Sequence, residues 1–191
     1  MKKKNILVIS AHPDDEVLGC GGTIIKHAKK NNVFSIIAGE GITSRNKKGV
    51  KNIKSRLNIL RKQALKAAKI MGVKKTFFLS FPDNKLDTLP LLEVIQKIEN
   101  IIVKIKPEII YIPSIYDNHT DHKITHEAIK SCIKWFRQRS IKKVLTYEVL
   151  SETNISFNRK KQFLPNVYEN IAPYINKKIN IMKIYSSEIK K

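Results

Sequence analysis

The first apolar block, Ile6-Leu7-Val8-Ile9, is short, rich in β-branched residues and bounded by polar positions, which predicts a buried strand. Blocks of the same kind recur at Val33 to Ala38, Lys75 to Ser80, Ile109 to Pro113 and Lys143 to Leu150. Between them the apolar period lengthens to that of a helix, over Gly21 to Lys30, Lys51 to Met71, Leu89 to Ile105 and Lys123 to Arg137. The longest of these gathers Leu57, Leu60, Ala64, Ala67, Ala68 and Met71 on one face and meets a stop at Gly72. Strands alternating with helices predict an open α/β architecture built on a parallel sheet. After Leu150 the periodicity weakens, yet no Gly-rich or Pro-rich linker marks off a second unit, so residues 1–191 are expected to form one domain.

Two of these strands run into dense polar clusters. The first leads to His12-Pro13-Asp14-Asp15-Glu16, and the fourth to Asn118-His119-Thr120-Asp121-His122. In open α/β sheets ligands bind at the carboxyl ends of strands. Adjacent carboxylates repel and raise each other's pKa, and a divalent ion removes that penalty. His12 and Asp15 would be ligands, with Asp14 left to act on water activated by the ion. An acidic first turn complementing a helix dipole would account for Asp14 to Glu16 on their own. The second cluster adds two imidazoles and a carboxylate, and the two clusters face each other if their strands are parallel neighbours. Two His and one Asp with an open fourth position form a normal hydrolytic zinc set.

The pair Ala11-His12-Pro13-Asp14-Asp15-Glu16 and His119-Thr120-Asp121-His122 resembles the hallmarks of the PIG-L/LmbE-like family of zinc-dependent N-acetylglucosaminyl deacetylases. Lesser agreements run along the chain: Gly21-Gly22-Thr23, Phe81 to Asp87, Phe163 to Asn166 and Lys183 to Glu188. The resemblance implies a Rossmann-like three-layer sandwich with a mostly parallel sheet and the site at the carboxyl ends of the strands. It implies Zn2+ (Fe2+ being another divalent candidate) on His12, Asp15 and His122, with Asp14 as general base. His119, protonated, would stabilise the oxyanion, and Asp121 would orient its imidazole and keep its pKa up. Glu16 would orient His12 or the helix start. Arg45, Arg61 and Asp83 are implied as substrate-binding residues, although Gln63 stands where the family usually has Glu. His126, one turn beyond His122, is read as structural, and Cys20 lies close enough to the motif to watch. Members often continue past the Tyr185-Ser186-Ser187-Glu188 stretch, so a lid or assembly element there is expected to be reduced. A homo-oligomer is a family-level expectation.

The formal net charge of +21 comes from 37 Lys and Arg against 16 Asp and Glu, spread along the chain rather than blocked. No basic stripe interleaved with aromatics appears, so nucleic acid is not the expected partner. The charge instead suits steering of a small anionic N-acetylated sugar into the cleft. There is no membrane-length apolar run, and the Met-Lys-Lys-Lys-Asn start leads to too short an apolar region for a signal peptide, which predicts a cytoplasmic protein. The sequence therefore predicts a hydrolase that removes an N-acetyl group from an amino sugar, such as an N-acetylglucosamine glycoconjugate or nucleotide sugar, through a zinc-activated water. A metallophosphoesterase or nuclease, or a non-catalytic basic binding protein, are the alternatives.

Overall fold

A computed structural model describes residues 2–45, 52–134, 136–150, 152–153 and 162–186, the Arg45 side chain excepted. The chain begins with β1 (Asn5–Ser10), whose neighbours decide everything else. Its Ile6 and Val8 face one side of the sheet and Leu7 and Ile9 the other, and all four are at most 1 % exposed. A strand buried on both faces reads as a continuous apolar run rather than an alternation. Burial of each such side chain contributes about 1.5–3 kcal/mol.

The remaining elements in order are α1 (Asp15–Ala28), β2 (Asn32–Gly39), α2 (Ile53–Met71), β3 (Lys75–Phe81), α3 (Leu91–Ile105), β4 (Ile109–Pro113), α4 (Thr120–Cys132), β5 (Lys143–Tyr147) and α5 (Ile175–Met182). The five strands lie in the order β3-β2-β1-β4-β5, every neighbouring pair parallel. On one face α1, α2 and α5 cover Ile6 and Val8 with Val17, Leu60, Ala64, Ala67, Met71 and Ile181. On the other, α3 and α4 cover Leu7 and Ile9 with Val94, Ile98, Ile102, Ala128 and Ile129. The result is the expected three-layer α/β sandwich. The apolar stripe of α2 is the one the sequence predicts, and Gly72 closes that helix at φ 86, its N–H donating to Ala68.

Helices α1, α4 and α5 depart most from expectation. Helix α1 begins at Asp15, six residues before Gly21, directly on the polar motif. Gly19, Gly21 and Gly22 lower its intrinsic propensity but permit close packing: a Cβ on Gly19 would overlap the Tyr147 ring, and one on Gly22 would lie 2.7 Å from Ile171 Cδ1. Tyr147, the last residue of β5, crosses over Gly19 and donates its hydroxyl to the Ile9 carbonyl at 2.8 Å. Helix α4 likewise starts three residues early, at Thr120, with His119 as N-cap accepting from the Asp121 N–H, and ends at Cys132. Helix α5 lies in the stretch whose periodicity looked weak. No helix among the described residues is long and apolar enough to cross a membrane.

Candidate active site

Because β1 and β4 are hydrogen-bonded neighbours, with Ile6 opposite Ile109 and Val8 opposite Tyr111, both polar clusters emerge at one edge of the sheet. This is also where the strand order reverses direction, the crevice in which open α/β sheets bind ligands. The turn after β1 is tight. Gly41, at φ 75, lies so close that a Cβ there would sit 2.8 Å from Pro13 Cδ. A cleft of about 390 Å³ opens at this edge, lined by His12, Asp14, Asp15, Asp83, His119 and His122, with Leu18, Val149 and Met182 among its apolar residues.

Each of the two motif histidines that flank Asp15 has one ring nitrogen against an outer carboxylate. His12 Nε2 is 2.9 Å from Asp121 Oδ2, and His122 Nδ1 is 2.8 Å from Asp117 Oδ2. Their other nitrogens turn toward Asp15 Oδ2, His122 Nε2 at 3.2 Å and His12 Nδ1 at 3.9 Å. Metal-ligating histidines characteristically donate the second N–H to a carboxylate in this way. Two ligand atoms on one tetrahedral zinc stand about 3.4 Å apart, given bonds near 2.1 Å, which the His122–Asp15 separation approaches and the His12–Asp15 separation exceeds by about 0.5 Å. The residue types, imidazoles and carboxylates, fit a divalent metal. Ligand-capable atoms converge within 4.8 Å in two overlapping groups, His12, His119 and His122, and His12, Asp83 and Asp121, neither of which includes Asp15. Asp121 and Asp83 already have other duties. Asp121 accepts from the backbone N–H groups of Asn84 (2.8 Å) and Leu86 (3.1 Å), and Asp83 accepts from the Ser44 hydroxyl and N–H.

Charge also holds the cluster together. Burial opposes ionisation of both Asp15 and His122, but their mutual attraction outweighs it. Asp15 falls to about 2, and His122, helped by Asp117, rises to about 11. Asp121 is held below the ordinary carboxylate range despite burial, chiefly by His12.

The structure departs from the expected pairing of Asp121 with His119. The Asp121 carboxylate is taken up by two backbone N–H groups and His12, and only its own N–H meets His119, donating to Nδ1 at 3.2 Å. With Nδ1 an acceptor, the His119 proton sits on Nε2. Burial, followed by the neighbouring His12 and His122, lowers the His119 pKa, outweighing the pull of Asp121. The lowered pKa and the occupied Nδ1 both favour a neutral imidazole with an Nε2–H to give over the expected imidazolium.

Asp14 lines the cleft from an unusual backbone, φ 108 and ψ −34. A non-glycine residue there costs about 1–3 kcal/mol and persists only where its surroundings enforce it. Glu16 contributes to the helix start and not to His12: its Oε2 accepts from the Asp14 N–H at 3.0 Å.

Of the three expected substrate residues, Asp83 is in the cleft, its Oδ1 3.3 Å from His12 Nε2. Arg61 is not brought there. It is exposed and stacks at 4.5 Å on the Phe78 ring, in a neighbouring cavity of about 280 Å³ on the far side of Pro13. A long helical side chain finds the nearest aromatic face before it can span that proline. Arg45 ends a 3-10 turn, Thr43–Arg45, and its side chain lies outside the described residues. His126 holds the Pro113 carbonyl at 2.8 Å, a structural role. Cys20 is buried beside a different cavity, with Tyr111 and Tyr147, and desolvation pushes its thiol well up. Asp117 escaped the sequence reading, which began the second cluster one residue too late. It accepts from the His119 N–H, His122 Nδ1 and the Thr153 hydroxyl, and it is fully buried.

The family described as GlcNAc-PI de-N-acetylase, PIG-L, matches residues 7–133, a span that contains both motifs and Asp117. The chain belongs to the PIG-L family. PIG-L relatives with comparable length include the uncharacterized deacetylase YaiS of Escherichia coli (strain K12), 30% identical over 97% of this chain and 92% of that protein. A probable N-acetyl-alpha-D-glucosaminyl L-malate deacetylase 2 of Bacillus anthracis is 22% identical over 97% of this chain and 82% of its own length. Among solved structures, the N,N'-diacetylchitobiose deacetylase of Pyrococcus horikoshii superposes with a TM-score of 0.78, at 22% identity, over 98% of this chain and 72% of that one. The PIG-L assignment and this likeness agree with the sheet order and layering described above.

Proposed function

We propose that the protein is a zinc-dependent N-deacetylase acting on an N-acetylated amino sugar, with the ion held by His12 Nδ1, Asp15 and His122 Nε2. The observation that carries this reading is the outward pairing of His12 with Asp121 and of His122 with Asp117, which leaves both inner nitrogens turned to Asp15. When bound, zinc acts as a Lewis acid on the acyl oxygen and lowers the pKa of water toward ~7. Asp14, beside the ligand Asp15 in the cleft wall, takes the proton of the attacking water as that water adds to the acetyl carbon. The neutral His119 donates its Nε2–H to the developing oxyanion, an interaction worth roughly 10²–10³ in rate for a donor of this kind. Asp14 then returns its proton to the amine as the carbon–nitrogen bond breaks, giving acetate and a free amino sugar. Asp121 and Asp117 keep the two ligating rings oriented, and Asp83 with Arg45 would meet sugar hydroxyls.

Substrate class rests on the relatives, whose names point to N-acetylglucosaminyl conjugates. The charge of +21 favours an anionic conjugate among these. Both cysteines are free and buried, which suits the cytoplasm. The test is acetate release by metal-stripped protein, with and without zinc, from N-acetylglucosamine, UDP-N-acetylglucosamine and N-acetylglucosaminyl-malate. Zinc-dependent release from any of them is expected, with the anionic substrates ahead. Asp14→Ala should retain zinc and lose most turnover. Failure of the parent to bind zinc at all, or parental turnover in Asp14→Ala, would overturn the reading.

A further inference from the structure

The backbone at Asp14 needs something to hold it. Its carbonyl accepts the N–H groups of Val17 (2.8 Å) and Leu18 (2.9 Å), which begin α1, and its own N–H donates to Glu16 Oε2 at 3.0 Å. Glu16 is 2 % exposed, and its second oxygen, Oε1, accepts the hydroxyl of Tyr185 at 2.6 Å. That tyrosine is fully buried and lies 169 positions away in the chain. Gln63 of α2 steadies the same segment, its Nε2 donating to Ser186 Oγ at 3.1 Å. An unbroken line of hydrogen bonds thus runs from the segment after α5 to the residue that faces the cleft.

We propose that Tyr185 is a positioning residue for the reaction: by fixing Glu16, it holds the Asp14 main chain at its positive φ and keeps that carboxylate aimed into the cleft. The inference rests on the assignment of Asp14 as general base. Among the described residues, Tyr185 is not in the cleft lining, and its hydroxyl donates to Glu16. Its hydroxyl acts through a carboxylate that has one oxygen for the tyrosine and one for the Asp14 N–H, so loss of the first donor frees Glu16 to turn away from the second.

The test is Tyr185→Phe, which keeps the buried ring and deletes only the hydroxyl. Turnover per bound zinc is expected to fall about 10–100-fold, as for other residues that orient a site from behind, with KM and zinc stoichiometry near those of the parent. A residue that served packing alone would lower thermal stability and leave kcat per zinc unchanged. A second readout needs no activity. Amide hydrogen exchange at Asp14, followed by NMR in the metal-free protein, should speed up at least about tenfold while the β1 amides keep their protection. If Tyr185→Phe does not fold, Glu16→Met takes its place. It fills a similar volume but offers no oxygen to either the Tyr185 hydroxyl or the Asp14 N–H, and the same kcat loss is expected. Parental kcat in the folded variant, or unchanged Asp14 protection, overturns the proposal. If Asp14→Ala is inactive while Tyr185→Phe turns over like the parent, the inference about Tyr185 fails alone. If Asp14→Ala itself keeps parental turnover, the assignment beneath it fails.

Discussion

Asp117→Asn separates the orientation of a metal ligand from simple burial. In the parent, Oδ2 of this fully buried residue serves His122 Nδ1 at 2.8 Å and the Thr153 hydroxyl at 2.9 Å, and Oδ1 serves the His119 N–H at 2.9 Å. Asparagine fills the same space but has one acceptor oxygen and one NH2. Turned one way, its NH2 meets the His119 N–H, a donor against a donor; turned the other way, it meets Thr153 and His122 Nδ1 and forces that ring out of the tautomer whose Nε2 is open to a metal. An unsatisfied buried donor costs about 1–3 kcal/mol. In a chain of this size, each kcal/mol is worth roughly 2–4 °C in Tm, so the metal-free variant should melt about 2–12 °C below the parent. The ring of His122 also loses the partner that fixes its tautomer and direction, and such losses weaken metal binding about 10–100-fold, or about 1.4–2.7 kcal/mol. Competition with a chromophoric chelator measures zinc affinity, and thermal unfolding of stripped protein measures the rest. A lowered Tm with parental zinc affinity would refute the argument that Asp117 orients a ligand.

Two further perturbations probe the scaffold. Gly19→Ala should destabilise the protein by about 1–3 kcal/mol through overpacking against Tyr147, more than the gain in helix propensity of about 1 kcal/mol returns. A Tm at or above that of the parent would show that Tyr147 yields freely. His27, half-buried with Nε2 2.9 Å from the Tyr111 hydroxyl, has its pKa lowered from 6.5 mainly by desolvation. The unfolded chain therefore takes up this proton more readily than the folded one. The associated stability is complete above pH 6.5 and is lost as pH falls below it toward the folded value. His27→Gln should flatten the stability curve in that acid window, and chemical denaturation at several pH values would reveal an unchanged slope if the reasoning is wrong.

Much of the architecture was legible because periodicity reports burial directly. Ile6 to Ile9 could only be a strand covered on both faces, and the spacing from Leu60 to Met71 could only be one helical stripe. The start of α1 was misjudged because glycine propensity is a local quantity, whereas the close approach of Tyr147 and Ile171 that overrides it comes from distant segments. Within the site, residue types revealed the donors but not their pairing. Asp121 stands beside His119 in sequence, yet its carboxylate is claimed by Asn84 and Leu86 from the loop after β3. Asp117 looks like an ordinary turn former until Thr153 and His122 are seen to converge on it. Arg61 illustrates the reverse case, a residue of suitable chemistry whose helix face points past Pro13.

The adjacency of β1 and β4 also has a kinetic meaning. His12 and Asp121 are 109 positions apart in the chain, and closing a loop of that length costs about 4 kcal/mol of chain entropy before any contact repays it. With the ion held as proposed, neither motif alone would offer the complete ligand set, and a fragment ending before β4 would lack His122. Metal capture would then report that the centre of the sheet has closed. An ion that recognises only this closed arrangement is expected to act as a latch, slowing escape from the native state far more than it hastens arrival.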